Sequence, residues 1–252
     1  LPRSISLTHR LTSVNVGSPY TVVTSLDARW WPEALRSRRE GGAPFRFERI
    51  LCDVPCSGDG TMRKAPDLWG RWNDGMGWGL HVLQLNILRR GLSLLAPGGR
   101  LVYSTCSMNP IEDEAVVARA LMDHPGARLV DSTSLVPGLK RRPGVSHWRV
   151  RYRDEWYADY AALPLKAQRQ KSSKSVFPPP PDIAATLHLE RCMRVLPHMQ
   201  DTGGFFIAVF ELPVGADDAA AAKPMGDAAA AAADHEADTP QGGGDGVEHA
   251  GP

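Results

Sequence analysis

The sequence has no apolar run approaching the ~18–20 residues that cross a bilayer. It has no Cys-x-x-C pair and no Cys/His spacing of the zinc-site kind. The first absence leaves a soluble globular chain as the expectation, without a membrane partner. The second leaves four separate cysteines, Cys52, Cys56, Cys106 and Cys192, with no structural metal and a reducing setting. The chain opens Leu1-Pro2-Arg3, without methionine and without a charged start leading into an apolar stretch, so it does not read as a secretory signal. Internal repeats are missing too. So is an excess of either charge, but the net +1 is a cancellation. Residues 140–174 hold ten Lys/Arg against three Asp/Glu, whereas 215–252 hold eight Asp/Glu against the single Lys223.

What is present is enough for one core: 252 residues, 42% of them hydrophobic. Tyr20 to Asp27 is short, rich in β-branched residues and entered from Gly17-Ser18-Pro19, which predicts a strand. Arg49 to Asp53 is a second strand, stopped by Pro55 and followed by the turn residues Ser57-Gly58-Asp59-Gly60. Leu80, Leu83, Ile87 and Leu94 recur at helical spacing ahead of Pro97-Gly98-Gly99, predicting a helix over 78–95. Gly99 to Thr105 is the next strand. Asn109-Pro110 supplies an N-cap and first-turn proline, with Glu112, Asp113 and Glu114 as an acidic first turn of a helix over 110–122. Further strands are expected at 127–131 and 203–210, with a loop-rich stretch over 135–200. From Gly215 onward the alanine, glycine and acid-rich composition predicts a disordered tail. Alternating strands and helices indicate an α/β sheet with parallel strands, whose ligands sit beyond the strands' carboxyl ends. Asp27, Asp53 and Cys106 fall at such ends.

Cys52 lies mid-strand and reads as a small core hydrophobe, and Cys192 is open to a core or a reactive reading. Cys56 and Cys106 differ, because Pro, Ser, Gly and Asn flank them just past strand ends. The runs from Arg49 to Ala65 and from Gly99 to Ala118 closely resemble the Nop/Sun family of RNA cytosine-5 methyltransferases. Pro137 to Arg149 and His188 to Glu211 resemble its tRNA-modifying branch, and the likeness covers most of residues 9–211.

The resemblance implies a Rossmann-like S-adenosylmethionine-dependent methyltransferase fold and a nuclear or nucleolar site of action. It implies that Cys106 adds to carbon 6 of cytosine and that Cys56 assists release of the methylated base. Asp53 is expected to bind the cytosine edge and to stand near the cofactor, and Asp27 to contact its adenine end. Arg63 and Lys64 are candidate phosphate contacts. Lys140, Arg141 and Arg142 open a segment whose cations interleave with Trp148, Tyr152, Trp156, Tyr157 and Tyr160, a mixture suited to RNA. On this reading residues 1–134 are a partial catalytic domain, 135–214 a C-terminal segment with an RNA-contacting region, and 215–252 the tail.

Two parts of such a fold are not found: a first strand leading into a glycine-rich turn, and a second strand ending in an acid for the cofactor ribose. Gly75-Met76-Gly77-Trp78-Gly79 mimics the turn, but no strand precedes it. In the family's strand order, 20–27 would be the third strand and 49–53 the fourth, separated by the two missing strands. The chain therefore reads as a fragment, a truncated gene model or half of a split protein, with the missing N-terminal half as a partner. Two competing readings are a cytosine-5 DNA methyltransferase, which would make Cys56 the attacker, and a catalytically silent RNA-binding remnant.

Overall fold

The computed structural model describes residues 21–32, 45–169 and 174–215. Its centre is a mixed sheet. Strand β1 (Phe47–Asp53) runs parallel to β2 (Leu95–Thr105), and β2 pairs antiparallel with the last strand, β8 (Phe205–Glu211). The other edge of β8 is shared. The short β3 (Arg128–Leu129) pairs with its Phe210–Glu211 end, and β7 (Met193–Val195) pairs with Phe205, Phe206 and Ile207. Beyond β7 lies β4 (Arg142–Pro143), while β5 (Val150–Tyr152) and β6 (Glu155–Tyr157) form a separate hairpin.

Alternation decides which side of the sheet is core. Ile50 and Cys52 on β1 lie in register with Leu101 and Tyr103 on β2, which lie opposite Phe210 and Ala208 on β8. Against this face pack helices α1 (Gly75–Leu94) and α2 (Glu114–Asp123), through Leu85, Leu88, Leu92, Val116, Val117 and Ala120. The opposite face carries Leu51, Val102 and Val209 in register, with Leu51 69% exposed. Among the described residues, one face is covered by helices and the other is only partly covered.

Four expectations need correction. Residues 21–27 form no strand; they are irregular and largely exposed, and Tyr20 lies outside the described residues. A third strand needs a second beside it, and the outer edge of β1 has no strand partner among the described residues. The strand at 127–131 shrinks to Arg128–Leu129. Helix α1 forms, but the middle of its buried stripe is Gly77, His81, Gln84, Leu85 and Leu88, while Leu80, Leu83 and Ile87 are only half-buried. The polar pair can be central because it is bonded: His81 Nδ1 and Nε2 meet Ile111 O at 2.7 Å and Ser175 Oγ at 2.8 Å, and Gln84 reaches Pro55 O at 2.9 Å. Burial pushes the His81 imidazole down to about 4, so it stays neutral. Lastly, α2 begins at Glu114, after a turn in which Asn109 Oδ1 accepts the Ile111 N–H and Asn109 O that of Glu112. The tail beyond Gly215 lies outside the described residues.

Candidate active site

Parallel register brings the two motifs together. Asp53 pairs with Ser104, so both strands finish at one level, and Cys56 and Cys106 follow within three residues. Their sulfurs lie 3.1 Å apart, both half-buried, in hydrogen-bond contact. The Cys56 thiol, as donor, pulls the Cys106 thiol down to about 7, against the upward push of burial and of Asp53 and Asp59. Cys56 itself moves up, first through the same hydrogen bond and then through burial. The two shifts are the two sides of one shared hydrogen bond, which makes Cys106 the more readily ionised sulfur.

Backbone contacts fix the loops. Gly60 N–H donates to Cys106 O at 2.9 Å, and Gly204 N–H donates to Gly60 O at 2.7 Å, so the segment entering β8 closes over both cysteine turns. A Cβ on Gly60 would stand 2.5 Å from Gly204 O and 2.7 Å from Cys106 O, and both atoms are backbone. Only glycine fits there. Asp59 Oδ1 accepts Met108 N–H at 2.8 Å, adding a second tie between the turns.

The acidic run after Pro110 is not a solvated first turn. Glu112, Asp113 and Glu114 are all fully buried. Glu112 accepts from Ser57 N, Ser57 Oγ, Ser107 Oγ and Gln84 Nε2 at 2.8, 2.5, 2.8 and 3.0 Å. Asp113 accepts Thr105 Oγ1 at 2.7 Å, and burial first, then Glu114, raises its carboxyl well above the carboxylate range. Glu114 is ion-paired with Arg194 of β7, whose Nη1 also donates to Met108 O at 2.9 Å. Sequence reasoning missed these roles. The signal was the repeated Cys-Ser pair, Cys56-Ser57 and Cys106-Ser107, whose serines meet one carboxylate.

The other candidates are spread more widely. Asp53 is exposed at its strand end and accepts Ser104 Oγ at 3.1 Å, leaving its second oxygen free of any described protein donor. Asp27 caps the turn Ala28–Trp30, and its carboxylate is taken by the Arg29 backbone and guanidinium, which hold it below its usual range. Arg63 pairs with Asp201 at 2.6 Å across the loops that Gly60 and Gly204 join, and Lys64 is exposed. Lys140, Arg141 and Arg142 line a groove of about 430 Å³ near β4, at the far end of the sheet from β1. Cys192 is buried core, and so is Cys52.

These residues do not complete a site for S-adenosylmethionine. Among the described residues the outer edge of β1 has no strand partner and no glycine-rich turn follows a strand beside it, and the Asp27 carboxylate is already engaged. The Gly75 to Gly79 run is packing surface within α1: a Cβ on Gly77 would meet Asn109 Nδ2 at 2.6 Å.

The ends of β1 and β2 and the start of β8 thus gather two touching thiols at one side of a Rossmann-like α/β frame. Residues 3–211 match the model of the 16S rRNA methyltransferase RsmB/F family, and the chain belongs to that family. It is 46% identical over 213 residues to a tRNA (cytosine(34)-C(5))-methyltransferase of Drosophila melanogaster, covering 83% of this chain and 28% of that protein. It is 48% identical over 216 residues to a multisite-specific tRNA:(cytosine-C(5))-methyltransferase of Saccharomyces cerevisiae, covering 83% and 30%. The chain thus spans less than a third of the length of these curated relatives. Among solved structures, that of NSun6 from Pyrococcus horikoshii with SFG superposes with a TM-score of 0.52 at 19% identity, over 84% of this chain and 39% of that one, a likeness of fold.

Proposed function

We propose that this chain supplies the nucleophilic side of an enzyme that methylates carbon 5 of cytosine in RNA, with tRNA as substrate and S-adenosylmethionine as donor. The observation that carries the reading is the thiol pair, 3.1 Å apart, just past the paired ends of β1 and β2. Cys106 as thiolate forms a bond to carbon 6, the displaced π electrons move toward nitrogen 3, which takes up a proton from solvent, and Asp53 at the strand end would accept from the resulting ring N–H and from the amino group. Carbon 5 becomes nucleophilic. Methyl delivery belongs to residues outside those described. When a water molecule takes the proton from carbon 5, the electron pair left behind restores the ring double bond and expels Cys106 as thiolate, and nitrogen 3 returns its proton to solvent. The Cys56 thiol, in contact with that sulfur, stabilises it by hydrogen bonding as it departs. One hydrogen bond therefore serves both ends of the cycle.

The hairpin β5–β6 supports an RNA partner: Trp156 is 59% exposed with Arg149 at 5.6 Å over its ring, a surface suited to base stacking beside phosphate. The test is covalent capture by the whole protein, given tRNA and S-adenosylmethionine. Cys56→Ala should accumulate a denaturant-resistant RNA adduct, and Cys106→Ala should give none. The reverse pattern would make Cys56 the attacker and overturn the assignment, while binding without adduct or methyl transfer would leave an RNA-binding module.

A further inference from the structure

The structure gives the buried Glu112 carboxylate work that neither a helix cap nor a solvated acid performs. Its four donors come from three places: Ser57 of the first cysteine turn, Ser107 of the second, and Gln84 of α1. Gln84 also holds Pro55 O at 2.9 Å, the carbonyl just before Cys56. The Glu112 carbonyl accepts Tyr103 OH at 2.6 Å, from the strand that leads into Cys106. Gly77 of α1 lies against the same turn, where a Cβ would stand in ordinary contact with Glu112 Oε2 at 3.5 Å but only 2.6 Å from Asn109 Nδ2. The Gly60 to Cys106 backbone bond spaces the two turns, but the carboxylate grips the residue beside each sulfur. A buried carboxylate met by this many donors is geometrically stiff, because moving any of them leaves charge unsolvated.

We propose that Glu112 is the positioning residue of the thiol pair, holding the sulfurs of Cys56 and Cys106 in contact by gathering Ser57 and Ser107 onto one carboxylate. This rests on the reading of those cysteines as the reacting pair. Electrostatics and positioning predict opposite signs. Loss of a nearby negative charge alone eases ionisation of Cys106, whereas loss of sulfur contact removes the Cys56 donor and makes ionisation harder.

The experiment is the pH dependence of Cys106 alkylation by iodoacetamide on the full chain without RNA, resolved by peptide mass spectrometry. Glu112→Ala should move the half-maximal pH up by about one unit, a roughly tenfold loss of thiolate at pH well below the midpoint. Glu112→Gln, which keeps one acceptor, should lie between it and the wild type. A midpoint that falls or stays, with circular dichroism unchanged, overturns the proposal. If Glu112→Ala does not fold, Ser57→Ala and Ser107→Ala remove donors with little change of volume, and an unmoved midpoint in both overturns it equally. Because the readout is thiol chemistry alone, it stands or falls apart from the RNA adduct that tests the reaction.

Discussion

Cys106 and Cys56 differ in how each sulfur is hydrogen-bonded. Since the Cys56 hydrogen bond is the largest cause of the lowered Cys106 value, its removal has a definite sign. In Cys56→Ala the half-maximal pH for Cys106 alkylation should rise from about 7 toward the ordinary thiol range, so that the rate at neutral pH falls. An unmoved midpoint would show that something other than Cys56 ionises Cys106. The cysteines were legible in the sequence because turn residues surround them, which a packing cysteine does not need. Glu112 was not, because an acid two residues after Pro110 reads equally well as a solvated helix-start charge, and only the fold shows the serines converging on it.

At the scale of elements, the site depends on segments distant in sequence. Gly60→Ala should cost about 1–3 kcal/mol in denaturant unfolding and slow Cys106 chemistry, since the new methyl meets two backbone carbonyls that cannot swing aside. Arg194→Met should be harsher, at roughly 3–5 kcal/mol, because it strands the buried Glu114 carboxylate and frees Met108 O; full stability in that variant would show the ion pair to be dispensable. The strands over 49–53 and 99–105 and the 203–210 strand were readable from β-branched and aromatic runs between turn residues. The α1 helix was readable in extent but not in orientation, since hydrophobic periodicity is blind to a His81 and a Gln84 that have found partners. The 20–27 strand failed for the opposite reason: its pattern was right, but a strand without a neighbour has nowhere to place its hydrogen bonds.

For the whole molecule, the partly covered face matters most. Leu51, Val102 and Val209 form an apolar stripe beside an edge strand that no other described strand pairs with, an arrangement that invites pairing between copies. The chain studied alone should associate with rising concentration in light scattering, and Leu51→Lys should lower that association without altering secondary structure. Equal association in the variant would place the sticky surface elsewhere. The topology also sets a timetable. Strand β8 comes last in the sheet's sequence order yet lies between β2 and β7, and it brings Gly204 onto Gly60. As a ribosome makes the chain, both cysteine turns and the Glu112 that ties them emerge long before this strand, and only the Gly204 contact must wait for it. The outer closure of the site, the β2–β8 pairing and the Gly204 bond to Gly60, can form only after synthesis has passed Glu211, so the last cover over the reactive turns is a late event of folding.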